Sequence, residues 1–507
     1  MIPERVNIAA EVLDRQVAEG LGGRTAFVRD GGGTTYDVLL DRVRAVAGAL
    51  AAQGVRRGMK VLVRMPNCIE FAVSFLALAR IGAIPVLVNS LLGREEVDYV
   101  LDHSGAKAAV TLADIAGPVL AHKDRVRTFL WRGEHPGAAC LDGAGGADAR
   151  APADTASDEP AFMVYTSGTT GRPKGIVHAH RWVVALGEAN RYRVPPEPGD
   201  VALATGEWSF ISALGHNVVF PLRNGATGAI LEGPARPERV LAAVERFGVT
   251  LLYSVATVYR RILAVEGIED RYDLSSLRGC SATGEALEAA TWEEFKRRVG
   301  CDIWEHYGVS EMQMVLGQGP RHPVRPGSIG KPIPGTAVAV TDESYRELPP
   351  GEIGRFLIAA ESAGFFLGYH RDPAMTARVL HDGWYHTGDL AWRDGDGYYW
   401  IAGREDDCFK SRGIFISPYE IENALRGHPA VAEACVVPLP DAEIGNRIRA
   451  VVVARAGRTG PDLGEELRED LRGRIARYKV PHVIELADAL PKSAVGKVLR
   501  REVARGG

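Results

Sequence analysis

The chain has 507 residues, of which 46% are hydrophobic and 24% charged, and its formal net charge is −4. This composition is ordinary for a globular protein, and the length is enough for two or three domains with cores of their own. The small acidic surplus argues against a nucleic-acid partner, and six cysteines without a C-x-x-C pair fit neither a disulfide framework nor a zinc site.

The N-terminal residues mix charge with short apolar stretches and lack the apolar core of a signal peptide. The longest apolar stretch, residues 71–88, is interrupted by Ser74, Arg80, Gly82 and Pro85. It therefore predicts a helix, a turn and a strand instead of a membrane span. We expect a cytoplasmic protein.

From about residue 60 the apolar period alternates between strand and helix. Strands are predicted at 60–65, 83–88, 108–113, 226–231, 249–255 and near Cys280, with helices between them. Such alternation predicts βαβ units on parallel sheets. The intervening stretch 134–160 is rich in Ala, Gly, Asp and Pro and predicts an exposed, poorly ordered connection.

The last third of the chain changes character. Residues 332–404 carry many Gly, Pro and Asp turns between short strands, which predicts a β-rich subdomain. Beyond them we predict, in order, a helix at Pro418–Arg426, strands at 431–437 and 449–453, and a helix at 463–475. The expected fold class is α/β, with a large N-terminal domain (1–404) and a small C-terminal α+β domain (405–507).

The stretch AFMVYTSGTTGRPKG (161–175) places a loop rich in glycine and hydroxyl groups directly after an apolar strand. Glycines let successive backbone N–H groups face one anion, hydroxyls donate further hydrogen bonds, and a lysine adds positive charge. The spacing does not fit a Walker A loop. A flexible surface turn is the alternative, but the strand before the loop and the Pro-Lys-Gly after it favour a phosphate loop. Its candidate residues are Thr166, Ser167, Gly168, Thr169, Thr170 and Lys174.

This loop resembles the signature of the acyl-adenylate-forming superfamily, which includes acyl-CoA synthetases, aryl-CoA ligases and peptide-synthetase adenylation domains. Further stretches resemble that family's motifs in the expected order: SATGEAL (281–287), EHYGVSE (305–311), WYHTGD (384–389), GREDDCFKSRG (403–413) and PKSAVGK (491–497). The resemblance covers most of the chain. It implies an ATP-dependent acid–thiol ligase that joins a carboxylic acid to AMP, releases pyrophosphate, and passes the acyl group to coenzyme A.

The resemblance implies catalytic roles for Lys497 and Glu311. Lys497 would bridge the acid carboxylate and the α-phosphate, because two anions must approach each other in the first step. Glu311 would bind Mg²⁺ as one carboxylate beside phosphate oxygens. The other residues expected at ATP are Gly284, Glu285, Ala286, Glu305, His306, Tyr307, Gly308, Ser310, Asp389 and Arg404. A solvated lysine and a solvated glutamate are the structural alternatives for the two catalytic candidates.

Within the ATP set, the resemblance implies that Tyr307 lies against the adenine and that Asp389 accepts from the ribose hydroxyls. It also implies a hinge at Asp406, about which the small domain rotates after adenylation. Coenzyme A would meet the residues after the hinge, which are Lys410, Arg412 and Gly413. A core tyrosine and a plain charged surface are the structural alternatives.

The resemblance places the acid beside EWSFISALGHN (207–217). The expected lining residues are Phe210, Ile211, Ser212, Ala282, Val309 and Met312. Many relatives carry histidine at the position of Phe210, so this stretch is similar to benzoate-type CoA ligases instead. A mostly uncharged lining favours an aromatic or alicyclic monocarboxylate, with short-to-medium fatty acids next. His178, His180 and His306 show no metal-ligand spacing and are expected to be structural.

Three functions stay open at this point. The first is a carboxylate–CoA ligase using ATP, Mg²⁺ and coenzyme A. The second is an adenylating enzyme that loads the phosphopantetheine of a separate carrier protein. The third is a non-catalytic nucleotide-binding relative, which predicts loss of Lys497 or Glu311, and both are present. We expect a small-molecule acid as partner, no nucleic acid and no membrane span, with a homodimer as one candidate assembly.

Overall fold

The computed structural model describes residues 2–144, 151–166, 172–285, 287–412, 414–441, 443–455, 457–458, 460, 462–492 and 498–506. The helices of eight residues or more are Tyr36–Ala52, Ile69–Arg80, Arg94–Ser104, Trp182–Arg193, Pro237–Phe247, Ala256–Leu263, Ala289–Val299, Pro418–Arg426 and Leu463–Arg474. Shorter α-helices are Arg15–Ala18, Gly117–Leu120, Ile211–Ala213, Phe220–Arg223, Ile268–Arg271, Pro373–Val379 and Arg500–Arg505. None of the described helices is both long enough and apolar enough to cross a bilayer.

The first run of alternating elements builds an eight-stranded sheet. Its strands, in spatial order, are Gly368–Tyr369, Lys174–Ala179, Pro160–Thr166, Ile84–Val88, Lys60–Arg64, Ala108–Leu112, Arg127–Trp131 and Ala138–Cys140. The central pairs are parallel, as the βαβ pattern predicts, and the fully buried helix Ile69–Arg80 crosses between two of them. The prediction of a poorly ordered connection is wrong at 138–140, because these residues pair in parallel with Arg127–Trp131 at the sheet edge, where Cys140 is exposed as predicted.

The second run builds a nine-stranded sheet. Its strands, in spatial order, are Lys331–Pro332, Met312–Gly317, Ile303–Val309, Gly279–Ala282, Leu251–Ser254, Val201–Ala204, Thr227–Ala229, Thr25–Arg29 and Gly32–Thr35. The N-terminal hairpin at its edge was not predicted. Thr25–Arg29 pairs in parallel with Thr227–Ala229, about two hundred residues later in the chain, so no local pattern indicates the pairing.

The predicted β-rich subdomain is an antiparallel sheet. Its strands are Val338–Thr341, Gly354–Ala359, Trp384–Arg393, Leu380–His381 and Tyr399–Arg404. The C-terminal α+β part contains a hairpin (Phe409–Ser411 with Ile414–Ile416) and a three-stranded sheet (Val431–Asp441, Gly445–Ala454 and Val483–Leu486). Its helices cover that sheet with Ile421, Leu425, Leu467 and Leu471, which are all fully buried. The small C-terminal part therefore has a core of its own.

Candidate active site

The predicted phosphate loop connects two antiparallel strands of the eight-stranded sheet. Pro160–Thr166 pairs with Lys174–Ala179, and the last pair in register is Thr166 with Lys174. The pairing holds Thr166 and Lys174 together at the base of the loop. The other loop candidates, Ser167, Gly168, Thr169 and Thr170, lie outside the described residues. Lys174 Nζ lies 5.5 Å from the ring centroid of Tyr369, within cation–π range.

Tyr369 links this lysine to the predicted magnesium ligand. Its hydroxyl donates to Glu311 Oε1 at 2.5 Å, and both side chains are buried. Burial and the neighbouring Glu311 carboxylate raise the pKa of Tyr369, so the hydroxyl stays protonated and remains a donor. Sequence reasoning missed Tyr369, because GYH (368–370) carries no pattern that separates it from other strand tyrosines.

The predicted nucleotide residues Tyr307, Asp389 and Arg404 meet at one point. The Tyr307 hydroxyl donates to Asp389 Oδ2 at 2.5 Å, and Arg404 Nη1 donates to Asp389 Oδ1 at 3.0 Å. Asp389 and Arg404 are directly opposite each other on paired antiparallel strands. Burial would lower the pKa of Arg404, but Asp389 outweighs it and the pKa is raised, so the guanidinium stays charged. Three separate motifs thus converge on one carboxylate.

The segment SATGEAL begins in the strand Gly279–Ala282, which pairs in parallel with the strand that carries Tyr307. Gly284 is exposed, with φ at +83° and nothing within 4 Å of where a Cβ would lie. Glu285 turns its carboxylate to Thr257, whose Oγ1 donates to Glu285 Oε2 at 2.9 Å. Glu305 is buried below the segment and accepts from the Leu287 N–H at 3.1 Å. Ala286 lies outside the described residues.

Burial raises the pKa of Glu305 to about 8, so this side chain is mostly a neutral acid at pH 7. Its Oε2 has no hydrogen-bond partner among the described residues. The next side chain along the strand, His306, faces the other way and lies 2.8 Å (Nδ1) from Ser281 Oγ. The predicted contact of His306 with ATP stays a prediction.

The turn after Tyr307 requires glycine. A Cβ on Gly308 would lie 1.7 Å from the Gln313 carbonyl oxygen, because the strands Ile303–Val309 and Met312–Gly317 approach closely there. Ser310 lies in this turn, and its carbonyl accepts a hydrogen bond of 3.0 Å from His178 Nε2. Complete burial lowers the pKa of His178 to about 3, so the neutral ring supports the turn as a structural residue.

The predicted hinge and coenzyme A residues follow Arg404 directly. Asp406 is exposed within the 3₁₀ turn Glu405–Asp407, which separates the β-rich subdomain from the C-terminal part. Lys410 and Arg412 are exposed on the hairpin that comes next. Gly413 and Lys497 lie outside the described residues.

The predicted acid lining combines an open and a closed side. Phe210 is 37% exposed, which is unusual for phenylalanine and places its ring at an open surface. Ile211, Ala282 and Met312 are buried, whereas Ser212 and Val309 are half-buried. The segment is fixed by Asn67, which accepts from the Trp208 N–H at 2.8 Å and donates to the Gly206 carbonyl at 2.8 Å.

Next to this lining the structure places five polar side chains. His216 belongs to the predicted stretch 207–217, whereas sequence reasoning did not assign Arg193, Tyr253, His306 and Gln313 to the acid. All five are buried. His216 and Gln313 both contact the Ser212 carbonyl, at 2.8 and 3.2 Å. Arg193 ends a helix and comes from a part of the chain that carries no family motif, so no sequence pattern indicated a role for it.

The residues present fit a magnesium ion shared with a nucleotide. Among the described residues there is no cluster of three or more His, Cys, Asp or Glu side chains that would cage a metal. Glu311 offers a buried carboxylate that is hydrogen-bonded to Tyr369, the residue whose ring lies beside Lys174. One carboxylate plus phosphate oxygens and water is the usual magnesium environment at a nucleotide.

Comparison with known proteins agrees with this geometry. Residues 13–370 match the family model described as AMP-binding enzyme, and residues 420–497 match its C-terminal domain. The chain is 34% identical to the benzoate–CoA ligase of Thauera aromatica, over 98% of this chain and 96% of that protein. It is 33% identical to the 3-hydroxybenzoate–CoA ligase of Aromatoleum sp. (strain CIB), over 99% and 98% of the two chains.

A solved anthranilate CoA ligase, in complex with anthranoyl-AMP, superimposes with a TM-score of 0.93 at 30% identity, over 99% of this chain and 98% of that one. Fold, motif order and the junction at Asp389 therefore agree with sequence similarity over nearly the whole length. The chain belongs to the AMP-binding enzyme family, the acyl-adenylate-forming superfamily, and is an AMP-forming acid–thiol ligase.

Proposed function

We propose that the protein activates an aromatic monocarboxylic acid with ATP and transfers the acyl group to coenzyme A. The observation that carries the proposal is the junction of Tyr307, Asp389 and Arg404, with distances of 2.5 and 3.0 Å to one carboxylate. An aspartate held in this way offers fixed acceptor oxygens to a ribose, beside a tyrosine ring that suits an adenine. The similar ligases named above act on aromatic acids, which supports an aromatic substrate here.

In the first half-reaction the acid carboxylate attacks the α-phosphorus of ATP, and pyrophosphate leaves. Both reactants are anions, so the site has to supply positive charge and orientation. We assign the positive charge to Lys174 at the phosphates and to Lys497 between the carboxylate and the α-phosphate. Mg²⁺ held by Glu311 would neutralise part of the triphosphate charge. No nucleophilic side chain is needed, because the substrate itself is the nucleophile.

In the second half-reaction the thiol attacks the acyl carbon and AMP leaves. We propose that residues 405–507 act as a lid that turns about Asp406 and brings Lys410, Arg412 and Gly413 to coenzyme A. The exposed positions of Lys410 and Arg412, directly after the 3₁₀ turn, support this assignment. Loading of a carrier protein is the second candidate for this step. Measuring thioester formation with free coenzyme A and with a phosphopantetheinylated carrier protein distinguishes the two acceptors.

The test is pyrophosphate release by the purified protein with MgATP and a panel of acids, with and without coenzyme A. We expect aromatic acids to give faster pyrophosphate release than fatty acids of similar size. Lys497→Ala should slow acyl-AMP formation by about 10²–10³-fold, the usual loss for a preorganised charge at a transition state. Thioester formation from supplied acyl-AMP should change little in the same variant. Equal loss of both steps in a folded variant would contradict the role of Lys497, and no pyrophosphate release with any acid would end the proposal.

Location and assembly belong to the same proposal. All six cysteines are free and four of them are buried, which supports a reducing compartment such as the cytoplasm. The homodimer stays a prediction that sedimentation equilibrium would test.

A further inference from the structure

A group of buried polar side chains behind the proposed acid site has no role in the chemistry described so far. We call it the polar cluster and define it as Arg193, His216, Tyr253, His306 and Gln313. Its rings are in contact: His216 stacks on Tyr253 with centroids 4.3 Å apart, and His216 and His306 lie 5.1 Å apart. Arg193 joins it through Ser281 Oγ, which also lies 2.8 Å from His306 Nδ1.

The polar cluster is continuous with the residues proposed to line the acid. Gln313 follows Met312 directly, and its carbonyl lies against Gly308 in the turn after the adenine tyrosine. Gln313 Nε2 and His216 Nδ1 meet the carbonyl of Ser212. The cluster therefore adjoins Phe210–Ser212 through the Ser212 carbonyl.

Arg193 is the unusual member, because it is 2% exposed and no described carboxylate pairs with it. Its contacts are Ser281 Oγ at 3.1 Å and the Met314 sulfur at 3.6 Å, and its Nε has no acceptor among the described residues. Burial lowers the pKa of Arg193 to about 10, so the side chain is still a cation at pH 7. An unpaired cation in such a place is costly unless a ligand compensates it.

The surrounding chain is shaped around this side chain. A Cβ on Gly317 would lie 2.2 Å from Arg193 Nε, so a glycine is needed there to admit the guanidinium. Four further polar atoms of the cluster are buried and unpartnered within the described part of the chain: His216 Nε2, Tyr253 Oη, His306 Nε2 and Gln313 Oε1. Buried polar atoms are almost always hydrogen-bonded, so several in one place indicate a site for a polar group.

We propose that the polar cluster recognises an oxygen substituent on the acid, remote from the reacting carboxylate, which accepts a hydrogen bond from Arg193. This inference rests on the proposed function and narrows its substrate class to aromatic acids with a second oxygen group, either a ring hydroxyl or a second carboxylate. A hydroxyl also donates and suits the unpartnered Gln313 oxygen. A carboxylate compensates the charge of Arg193 instead.

The wild-type enzyme tests the proposal without any variant. The measurement is kcat/KM for pyrophosphate release with 3- and 4-hydroxybenzoate, isophthalate, terephthalate, and the 3- and 4-methylbenzoates as apolar counterparts of similar size. We expect kcat/KM for at least one oxygen-bearing acid to exceed kcat/KM for its methyl counterpart by about 10- to 100-fold, which is the usual effect of one hydrogen bond to a charged group. Comparison of the hydroxybenzoates with isophthalate and terephthalate shows whether the cluster prefers a hydroxyl group or a second carboxylate.

Arg193→Met removes the guanidinium. The ratio of kcat/KM for an oxygen-bearing acid to kcat/KM for its methyl-bearing counterpart should fall at least tenfold in this variant. Arg223→Met is the matched control, since Arg223 is equally buried but pairs with Glu188 and Glu11 away from the cluster. It should lower the melting temperature and leave the ratio unchanged. If Arg193→Met does not fold, Gln313→Met provides the same readout with a smaller expected change.

The outcomes are separable. Methyl-bearing acids that react as well as their oxygen-bearing counterparts, or a folded Arg193→Met enzyme with an unchanged ratio, would overturn this inference and leave the ligase proposal standing. No pyrophosphate release with any acid would overturn the ligase proposal itself.

Discussion

An ion triad connects the proposed lid to the rest of the protein, and breaking it should loosen the lid. Glu288 accepts from Arg260 Nη1 at 2.9 Å and from Arg426 Nε at 3.0 Å. Arg426 belongs to the C-terminal helix Pro418–Arg426, whereas Glu288 and Arg260 belong to the nine-stranded part. Arg426→Met keeps most of the apolar stem and removes one charged hydrogen bond across the interface.

The size of the effect follows from burial. The Glu288 side chain is 9% exposed and that of Arg426 is 19% exposed, so the pair is screened far less than a surface ion pair. Losing one hydrogen bond between charged groups costs about 1.5–3 kcal/mol, which is about 10- to 100-fold in the balance between lid orientations. Glu288 keeps Arg260 in the variant, so it is not left as an unpaired buried charge.

The pH dependence has a definite sign. Burial alone would raise the pKa of Glu288, but Arg260 and Arg426 outweigh it and the pKa lies below the ordinary 4.5. A carboxyl group with a lowered folded pKa stabilises the contact above its ordinary pKa and loses that contribution as the pH falls through the folded value. The triad should therefore persist at neutral pH and weaken only in acid below about pH 4.5.

Limited trypsin digestion measures the effect, because Arg404, Lys410 and Arg412 flank the turn Glu405–Asp407. Where closing is faster than cleavage, the cleavage rate follows the population of the open form. We expect cleavage at this turn to rise at least tenfold in Arg426→Met and to stay unchanged in Arg474→Met, which loses contacts only within the C-terminal part. Equal cleavage of wild type and Arg426→Met, with equal melting temperatures, would refute the reasoning.

Two further predictions concern the nucleotide side. Tyr369→Phe removes the donor to Glu311 but keeps the ring beside Lys174, so the rate of pyrophosphate release at limiting MgATP should fall about 5- to 100-fold. Tyr259→Phe, at a buried tyrosine in the core, is the control and should change this rate little. An unaffected Tyr369→Phe enzyme would contradict the role of the Tyr369–Glu311 hydrogen bond in MgATP binding. The raised pKa of Glu305 stabilises the fold at low pH, a contribution that is lost as the pH rises from 4.5 through about 8. Glu305→Gln should therefore flatten the decline in melting temperature between these pH values, and an identical decline in both proteins would show that Glu305 does not cause it.

The sequence predicted those parts of the fold that leave a local periodic pattern. Alternating apolar periods indicated the parallel strands at Lys60–Arg64, Ile84–Val88 and Ala108–Leu112, and the structure confirms them. The N-terminal hairpin and the edge strand Ala138–Cys140 were missed, because their own sequences carry no clear strand pattern. The hairpin pairs with the distant strand Thr227–Ala229, and Ala138–Cys140 pairs with the neighbouring strand Arg127–Trp131. Pairing energy of this kind belongs to two segments at once, and one segment alone does not reveal it.

The candidate site divides in the same way. Tyr307, Asp389 and Arg404 were found because each lies in a recognisable motif, and the structure brings them to one carboxylate. Tyr369 and Arg193 were missed because their positions depend on which strand lies beside them in three dimensions. An uncharged acid lining was the expectation from Phe210 and Ile211, and the structure places the buried polar cluster next to Ser212 in the same segment.

The strand pairing of Asp389 with Arg404 has a consequence for the order of events in a catalytic cycle. Arg404 is the last residue of its strand, and the turn that carries Asp406 begins at the next peptide bond. A nucleotide bound to Asp389 is therefore coupled, through Arg404, to the proposed hinge at Asp406, two residues further along the backbone. Departure of AMP and return of the proposed lid to its starting orientation would then be coupled steps, and the slower of the two would limit turnover.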